Sequence, residues 1–392
     1  MTATRSFAGR RLWFVGIGGA GLSAYAQLAK AWGAEVGGWD RVETPYLEPL
    51  AGIRVEISSE PSMPDGFEAV VSSAYPDVPG LARRDFLREL VAERRSIVVA
   101  GTHGKGTTAA MIAFVLRETG RDPAWLIGAQ VPQLGTNAGT GTGFLVVEGD
   151  ESDRTVFSLP AEIAVVTNVE LDHHSEFASL AELDAAFEAW LATAGSVVRD
   201  AEPYLGELGL PGELNRLNAG SALAALEAAG VPQQEAATAI ARFTGTGRRF
   251  EVHERDGFTV VDDYGHHPTE IARTIEAVRE RFPGRTLRIL FQPHLYSRTR
   301  HLAGELADAL AEADDVTVTD VYAAREEPIE GVTGKLVVDA LSDRGVLAGW
   351  APSVEEGAAR LRRRARAGDV LLVVGAGDVD RAVGLLLGAV DG

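Results

Sequence analysis

The sequence predicts an α/β protein with largely parallel sheets, and two observations carry that expectation. Short apolar runs alternate almost throughout with segments whose apolar residues recur at helical spacing, the pattern of strand–helix–strand units. Three of the runs end in glycine-rich turns, GIGGAG at 16–21, GTHGKG at 101–106 and GAGD at 375–378. The chain of 392 residues has the length of two or three domains. We expect boundaries near Arg95 and near Gly247, just before GRRFE.

Taken in order, buried strands are expected at 11–16 (RLWFVG), 69–72, 97–100, 144–147, 163–166, 287–291, 316–319 and 370–374. Helices are expected at 21–32, 107–118 and 303–313. Hydrophobic residues make up 46% and charged residues 24%, ordinary for a globular protein. A net charge of −19 argues against a nucleic-acid or membrane-surface partner, since both need basic surface. It leaves nucleotide binding open, because that needs only a local anion site. The absence of cysteine excludes disulfides and thiolate metal sites. The first residues, MTATRSFAGRR, lack a signal-peptide core, and no apolar run is long enough to span a bilayer. A cytoplasmic protein is expected.

The first turn fits G-x-G-x-x-G at Gly16, Gly18 and Gly21, with a strand before, a helix after and Asp40 ending the next apolar run. Such a turn brings a diphosphate close to a helix N-terminus. It serves NAD or a UDP-type diphosphate equally well, and a tight turn without a ligand is the plainer alternative.

The second turn, Gly101 to Gly106, follows a strand and opens a helix, as a phosphate cradle requires. Its backbone N–H groups can wrap phosphate oxygens and Lys105 can reach the β/γ-phosphates. The hydroxyl residue that normally follows the lysine and holds Mg²⁺ is replaced by Gly106. That leaves Thr107 or Thr108 for the metal. Downstream, VVEGDESD ends a strand in four carboxylates, costly unless a cation or solvent neutralises them. Glu148 is the expected metal ligand among them; a solvated acidic loop is the alternative. AVVTNVELDHHSEF then ends another strand in Asn168, Glu170, Asp172, His173 and His174, a cluster placed for metal or phosphate contact.

GIGGAGLS, GTHGKG, EGDESD, TNVELDH, DDYGHHPTE and FQPHLYSRTR occur in the order found in Mur ligases, and the chain resembles that family over nearly its whole length. The last two motifs, with REEPIEGVTG and GAGD, look most like the alanine-adding members. The resemblance implies a Rossmann-like UDP-sugar-binding domain (1–95), a central P-loop ATPase-type domain (96–247) and a Rossmann-like C-terminal domain (248–392). It implies an ATP- and Mg²⁺-dependent ligase that joins L-alanine to the lactyl carboxylate of UDP-N-acetylmuramate through an acyl phosphate, in peptidoglycan precursor synthesis. By the same resemblance the first turn takes a UDP-sugar rather than NAD, with Gly16, Gly18, Gly19, Gly21, Ser23, Asp40, Ser72 and Ser73 around it. ATP falls to Gly101, Thr102, His103, Gly104, Lys105, Gly106, Thr107, Thr108 and Asn218. Thr107, Glu148 and His173 are the implied metal ligands. Tyr264 and His266 face the substrate, and His294 and Arg298 follow a strand, where Arg298 can clamp the amino acid's carboxylate. Lys105, Glu148, His173, His266 and Arg298 form the implied catalytic set.

Three departures from the family pattern stand out. The family reads GKT or GKS where this chain reads GKG. Folylpolyglutamate synthases, which resemble Mur ligases, carry the same glycine, so Thr107 inherits the metal role. Leu214 stands in LPGELNRLN where the family has a histidine near adenine, while Asn218 is kept. The segment between the helix ending near Thr193 and that motif is short, so the central domain looks trimmed. Two other readings are a ligase that attaches a whole recycled peptide, and a UDP-sugar-binding paralogue without catalysis. Arg362, Arg363, Arg364 and Arg366 lie on a helix without a motif and read as a solvated face.

Overall fold

The computed structural model describes residues 7–171, 176–255, 257–324 and 326–388. They form two compact units, Met1–Gly209 with Arg216–Thr244, and Leu210–Asn215 with Gly245–Gly392. None of the helices is long and apolar enough to cross a membrane among the described residues.

The first unit carries two sheets. One is wholly parallel, in the order Arg54–Ile57, Glu35–Asp40, Arg11–Val15, Glu68–Val71, Leu81–Ala82. The other runs Ser196–Arg199, Ile163–Val166, Ser96–Ala100, Leu145–Glu148, Ala124–Leu126, Ala138–Gly139. It is parallel except for its last pair. The central strand SIVVA is buried at every position, as a strand covered on both faces must be. The helix after it, Lys105–Glu118, is buried from Thr107 through Leu116, so it is an interior helix rather than an amphipathic one.

The second unit has one sheet in the order Glu251–Arg255, Phe258–Asp263, Val370–Val374, Leu287–Phe291, Asp315–Val318, Ala348–Trp350. Its first pair is an antiparallel hairpin and the rest are parallel. Pro268 opens the helix Pro268–Arg281, capped by His267 with Glu270 closing a capping box; proline has no N–H to lose at that position.

The strands lie within a residue or two of expectation. The helix expected at 303–313 instead runs Tyr296–Leu310, because Arg298 and Thr299 are buried there and so continue its inner face. Between the helices Leu180–Leu191 and Glu213–Ala228 the described residues hold a single strand, Ser196–Arg199, and it ends its sheet. That matches the trimmed centre.

The arginine run is not simply a solvated face. Arg364 Nε lies 2.7 Å from Asp315, and the Arg362 guanidinium donates to the Leu386 carbonyl. Asp315, 1% exposed, also meets Arg288 Nη1 at 3.0 Å, while Arg288 Nε holds Asp369 at 2.7 Å. Arg288→Met would leave two buried carboxylates short of a cation. Removing one member of a buried pair costs about 3–5 kcal/mol, and since Arg364 still holds Asp315 we expect the low end, read as a lower urea midpoint; an unchanged midpoint would show that the network is neutral.

Candidate active site

In the first unit, the first glycine turn is closed by its own acid. Asp40 Oδ2 accepts the Gly18 N–H at 2.7 Å and Oδ1 accepts the Arg41 N–H at 2.7 Å. The carboxylate, 7% exposed, is thus spent on the loop backbone. Gly16 has φ +88°, and a Cβ there would lie 2.8 Å from Ser72 Cβ, so Ser72 and the turn are in direct contact. Ser23 is buried, its hydroxyl directed to the Ala20 carbonyl at 3.1 Å. Ser73 is exposed, and Gly19 and Gly21 stand at the start of the helix Ala20–Ala31.

The second turn is pinned by the strand exit that carries TNVE. Asn168 Oδ1 accepts the His103 N–H at 2.8 Å, and its Nδ2 donates to the His103 carbonyl at 2.9 Å. Thr167 Oγ1 donates to the same carbonyl at 2.6 Å. Thr102 and Glu170 exchange two further bonds, at 3.0 and 2.8 Å, and His103 Nε2 lies 3.4 Å from Glu170 Oε2. Gly101 and Gly104 take φ of +122° and +79°, which only glycine adopts freely. A Cβ on Gly104 would fall 2.1 Å from Asn218 Oδ1. Asn218 therefore packs against the loop, while Leu214, four residues earlier, is half-buried.

Lys105 is folded back onto this loop. Its Nζ donates to the carbonyls of Gly101 at 2.7 Å and Thr102 at 3.1 Å, and to Glu151 at 3.0 Å. Burial raises the Glu151 carboxyl, with Lys105 opposing it, while Glu151 and Asp150 raise Lys105 against its own desolvation. Glu148 ends its strand and accepts the Gly128 N–H on Oε2 at 2.6 Å. A Cβ on Gly106 would sit 3.1 Å from Glu148 Oε1 and 3.2 Å from Oε2. The position that lost its hydroxyl thus faces the carboxylate expected to hold the metal. Thr107 and Thr108 are both buried, and Thr108 Oγ1 has no hydrogen-bond partner. Glu148 Oε1 and the threonine hydroxyls are hard oxygen donors of the kind Mg²⁺ takes, so their chemistry suits the ion. His173 lies outside the described residues.

In the second unit, Tyr264, His266, His294 and Arg298 come together beyond the strand ends. Tyr264 meets His266 edge-on at 5.6 Å, and His266 meets His294 at 5.7 Å. Arg298, 5% exposed, brings Nη1 to 3.1 Å from His294 Nδ1. Tyr322 stacks on the His294 ring at 5.8 Å. Arg248 and Arg249 lie over Tyr264 at 5.3 and 5.0 Å. Arg248 is itself anchored on the carbonyls of Gly375 and Gly377 at 2.8 and 3.2 Å, which ties GRRFE to GAGD. Asp263 accepts from Phe250, Gly265 and Thr274.

Comparison with known proteins bears on this arrangement. Residues 99–196 match a family model described as Mur ligase middle domain, and residues 248–377 match Mur ligase, glutamate ligase domain. The UDP-N-acetylmuramate–L-alanine ligase of Acidithiobacillus ferrooxidans is 36% identical over 444 aligned positions, covering 94% of this chain and 96% of its own length. The chain belongs to the Mur ligase family. The corresponding Mur ligase of Streptomyces coelicolor is also 36% identical, with 93% and 94% covered. Among solved Mur ligases, UDP-N-acetylmuramate-alanine ligase from Thermotoga maritima superposes with a TM-score of 0.78 at 26% identity, covering 97% of this chain and 98% of its own. A murein peptide ligase from Psychrobacter arcticus shares the fold at a TM-score of 0.66 and 22% identity, covering 97% and 98%.

Sequence reasoning missed Glu151, Thr167, Arg248 and Tyr322. Glu151 lay inside the acidic run, but nothing in its spacing says which carboxylate turns inward to the lysine. Asp262 gives a test of how this family site stores charge. Burial pushes its carboxyl up to about 6 from 3.8, with Arg248 opposing, and Oδ1 has no hydrogen-bond partner. The folded state holds this proton more tightly than the unfolded one. Stability from this group is therefore full below about pH 4 and is lost as pH rises towards about 6, by roughly 3 kcal/mol at 1.36 kcal/mol per unit. Asp262→Asn should flatten that stretch of a stability–pH profile; an unaltered slope would remove Asp262 as its source.

Proposed function

We propose that this chain uses ATP to join L-alanine to the lactyl carboxylate of UDP-N-acetylmuramate, releasing ADP and phosphate, as a cytoplasmic step of peptidoglycan precursor synthesis. The observation that carries the reading is likeness to alanine-adding ligases across 94% of the chain, which no single loop could supply. We assign 1–95 to the UDP-sugar, 96–247 to ATP and 248–392 to the amino acid.

The first turn supports a UDP-sugar over a nicotinamide dinucleotide. Asp40 accepts the N–H groups of Gly18 and Arg41 and is 7% exposed, so it is turned to the loop backbone rather than presented openly to the ribose hydroxyl that an acid in this place binds in dinucleotide folds. The second turn supplies the phosphate cradle. Gly104 to Thr107, at the start of the helix Lys105–Glu118, present backbone N–H groups, the N–H groups of Thr102, His103 and Thr108 being used within the protein, and Lys105 exchanges its loop carbonyls for the β/γ-phosphates. Asn218 holds Gly104 from the adenine side. Thr107, Glu148 and His173 would hold Mg²⁺, which supplies neutralisation of the phosphate charge when bound. Phosphoryl transfer depends on such positioning and charge balance more than on covalent help.

The lactyl carboxylate attacks the γ-phosphorus and ADP leaves. The neutral amine of L-alanine then attacks the acyl carbon of the acyl phosphate, an amide bond forms, phosphate leaves with its bonding pair, and the proton the amine loses passes to the departing phosphate. Arg298 holds the amino acid's carboxylate, His294 fixes the guanidinium, and Tyr264 and His266 face the reacting end. A phosphate-release assay with ATP, Mg²⁺, UDP-N-acetylmuramate and single amino acids should show turnover with L-alanine. Silence at saturating ATP, with UDP-sugar binding confirmed separately, would leave a binding paralogue.

The glycine at 106 makes a sharper forecast. Thr107→Ala should abolish Mg²⁺-dependent turnover while UDP-N-acetylmuramate still raises the melting temperature, because binding to the native state stabilises it by mass action. Full activity in that variant would move the metal role to another oxygen.

A further inference from the structure

Arg83 opens the helix Arg83–Ala92, directly after the short strand Leu81–Ala82. Its side chain is 30% exposed and lies beside two loops of the first unit. Nε lies 4.0 Å from the position a Cβ would take on Gly21, the third glycine of the first turn. Nη2 lies 3.9 Å from Asp153 Oδ2, in the acidic turn that follows Glu148. The hydroxyl of buried Tyr25, on the helix that Gly21 helps to open, lies close enough to the same guanidinium to feel its charge.

These contacts leave the charge poorly matched. A largely covered guanidinium needs a close anion, and a charge-assisted bond to a carboxylate would be about 2.7–2.9 Å. The Asp153 contact is an ångström longer. Asp153 meanwhile accepts the Thr155 N–H on its other oxygen at 3.0 Å, so it is fixed in its own turn rather than drawn to the arginine. The helix Ala20–Ala31 has no acidic residue in its first turn and no side-chain cap. Its N-terminal N–H groups and Arg83 thus present positive charge to the same small region beside Gly21.

We propose that Arg83 is a diphosphate-binding residue of the first turn, held loosely by Asp153 until a nucleoside diphosphate takes it over. The proposal rests on the reading of that turn as a UDP-sugar site and adds to it a competition: substrate diphosphate and Asp153 claim one guanidinium. Asp153, in the acidic turn beside the second glycine loop, therefore loses its nearby cation when the sugar nucleotide arrives, which links the two loops through a single side chain.

The competition makes the two partners act with opposite sign. Calorimetric titration of the full chain with UDP and with UDP-N-acetylmuramate should show Arg83→Gln weakening both at least tenfold, with Arg83→Lys intermediate. Asp153→Asn should tighten both several-fold, and should do little in an Arg83→Gln background. Weakening by both single substitutions would mark an ordinary structural ion pair and overturn the proposal. Equal tightening by Asp153→Asn with and without Arg83 would reduce it to a general field effect and overturn it too. If wild-type protein binds neither ligand, the first-turn reading itself fails; binding by wild type with Arg83→Gln unchanged defeats this inference alone. Melting temperatures confirm that each variant is folded.

Discussion

The side-chain amide of Asn168 meets the peptide of His103 at both ends, accepting from its N–H and donating to its carbonyl. One side chain thereby does what a neighbouring strand would do, at a place where no strand can reach. The glycine loop cannot hold itself, since Gly101 and Gly104 have the widest backbone freedom of any residues. Pinning His103 between them fixes the loop's shape, and the position of Lys105 follows from that shape. Thr167 adds its hydroxyl to the same carbonyl, so the loop hangs from the adjoining strand exit. The shape of the glycine loop is thus a property of two strands, Ser96–Ala100 and Ile163–Val166, paired in parallel.

Much of this was legible in the sequence because it rests on residues with narrow roles. Glycines that need positive φ, apolar runs that can only be buried, and a Pro268 that can only open a helix all declare their positions. Elements were less legible where tertiary packing decided them. The helix Tyr296–Leu310 begins seven residues before its expected start, since Arg298 is polar by type yet buried by position. Arg364 looked like solvated charge because its partner, Asp315, lies on a strand far away in sequence. Gly106 read as a departure, and the structure gives it a physical setting, against both oxygens of Glu148. Which carboxylate of the acidic run would turn inward could not be read from spacing that all four share.

Both units keep buried charge at strand ends. Lys105 is held by two carbonyls and Glu151, whose carboxyl burial has raised, and Asp262 rests on Arg248 with one oxygen unpaired. Ionised groups removed from water are stable only with close partners. Each of these groups is therefore held by a small number of close neighbours, and the loss of any one of them would be felt directly.

Among the described residues, the strand Ser196–Arg199 ends its sheet with no strand on the far side. A bare edge offers its peptide groups to any other extended chain and is a common route to aggregation. Here the edge is four residues long, and Arg199 at its end is tied to Asp184 and Glu188 and lies near Asp200. Another chain would gain few hydrogen bonds there and would have to strip water from a knot of charge to gain them. The short sheet is thus closed at this edge by electrostatics in place of further strands.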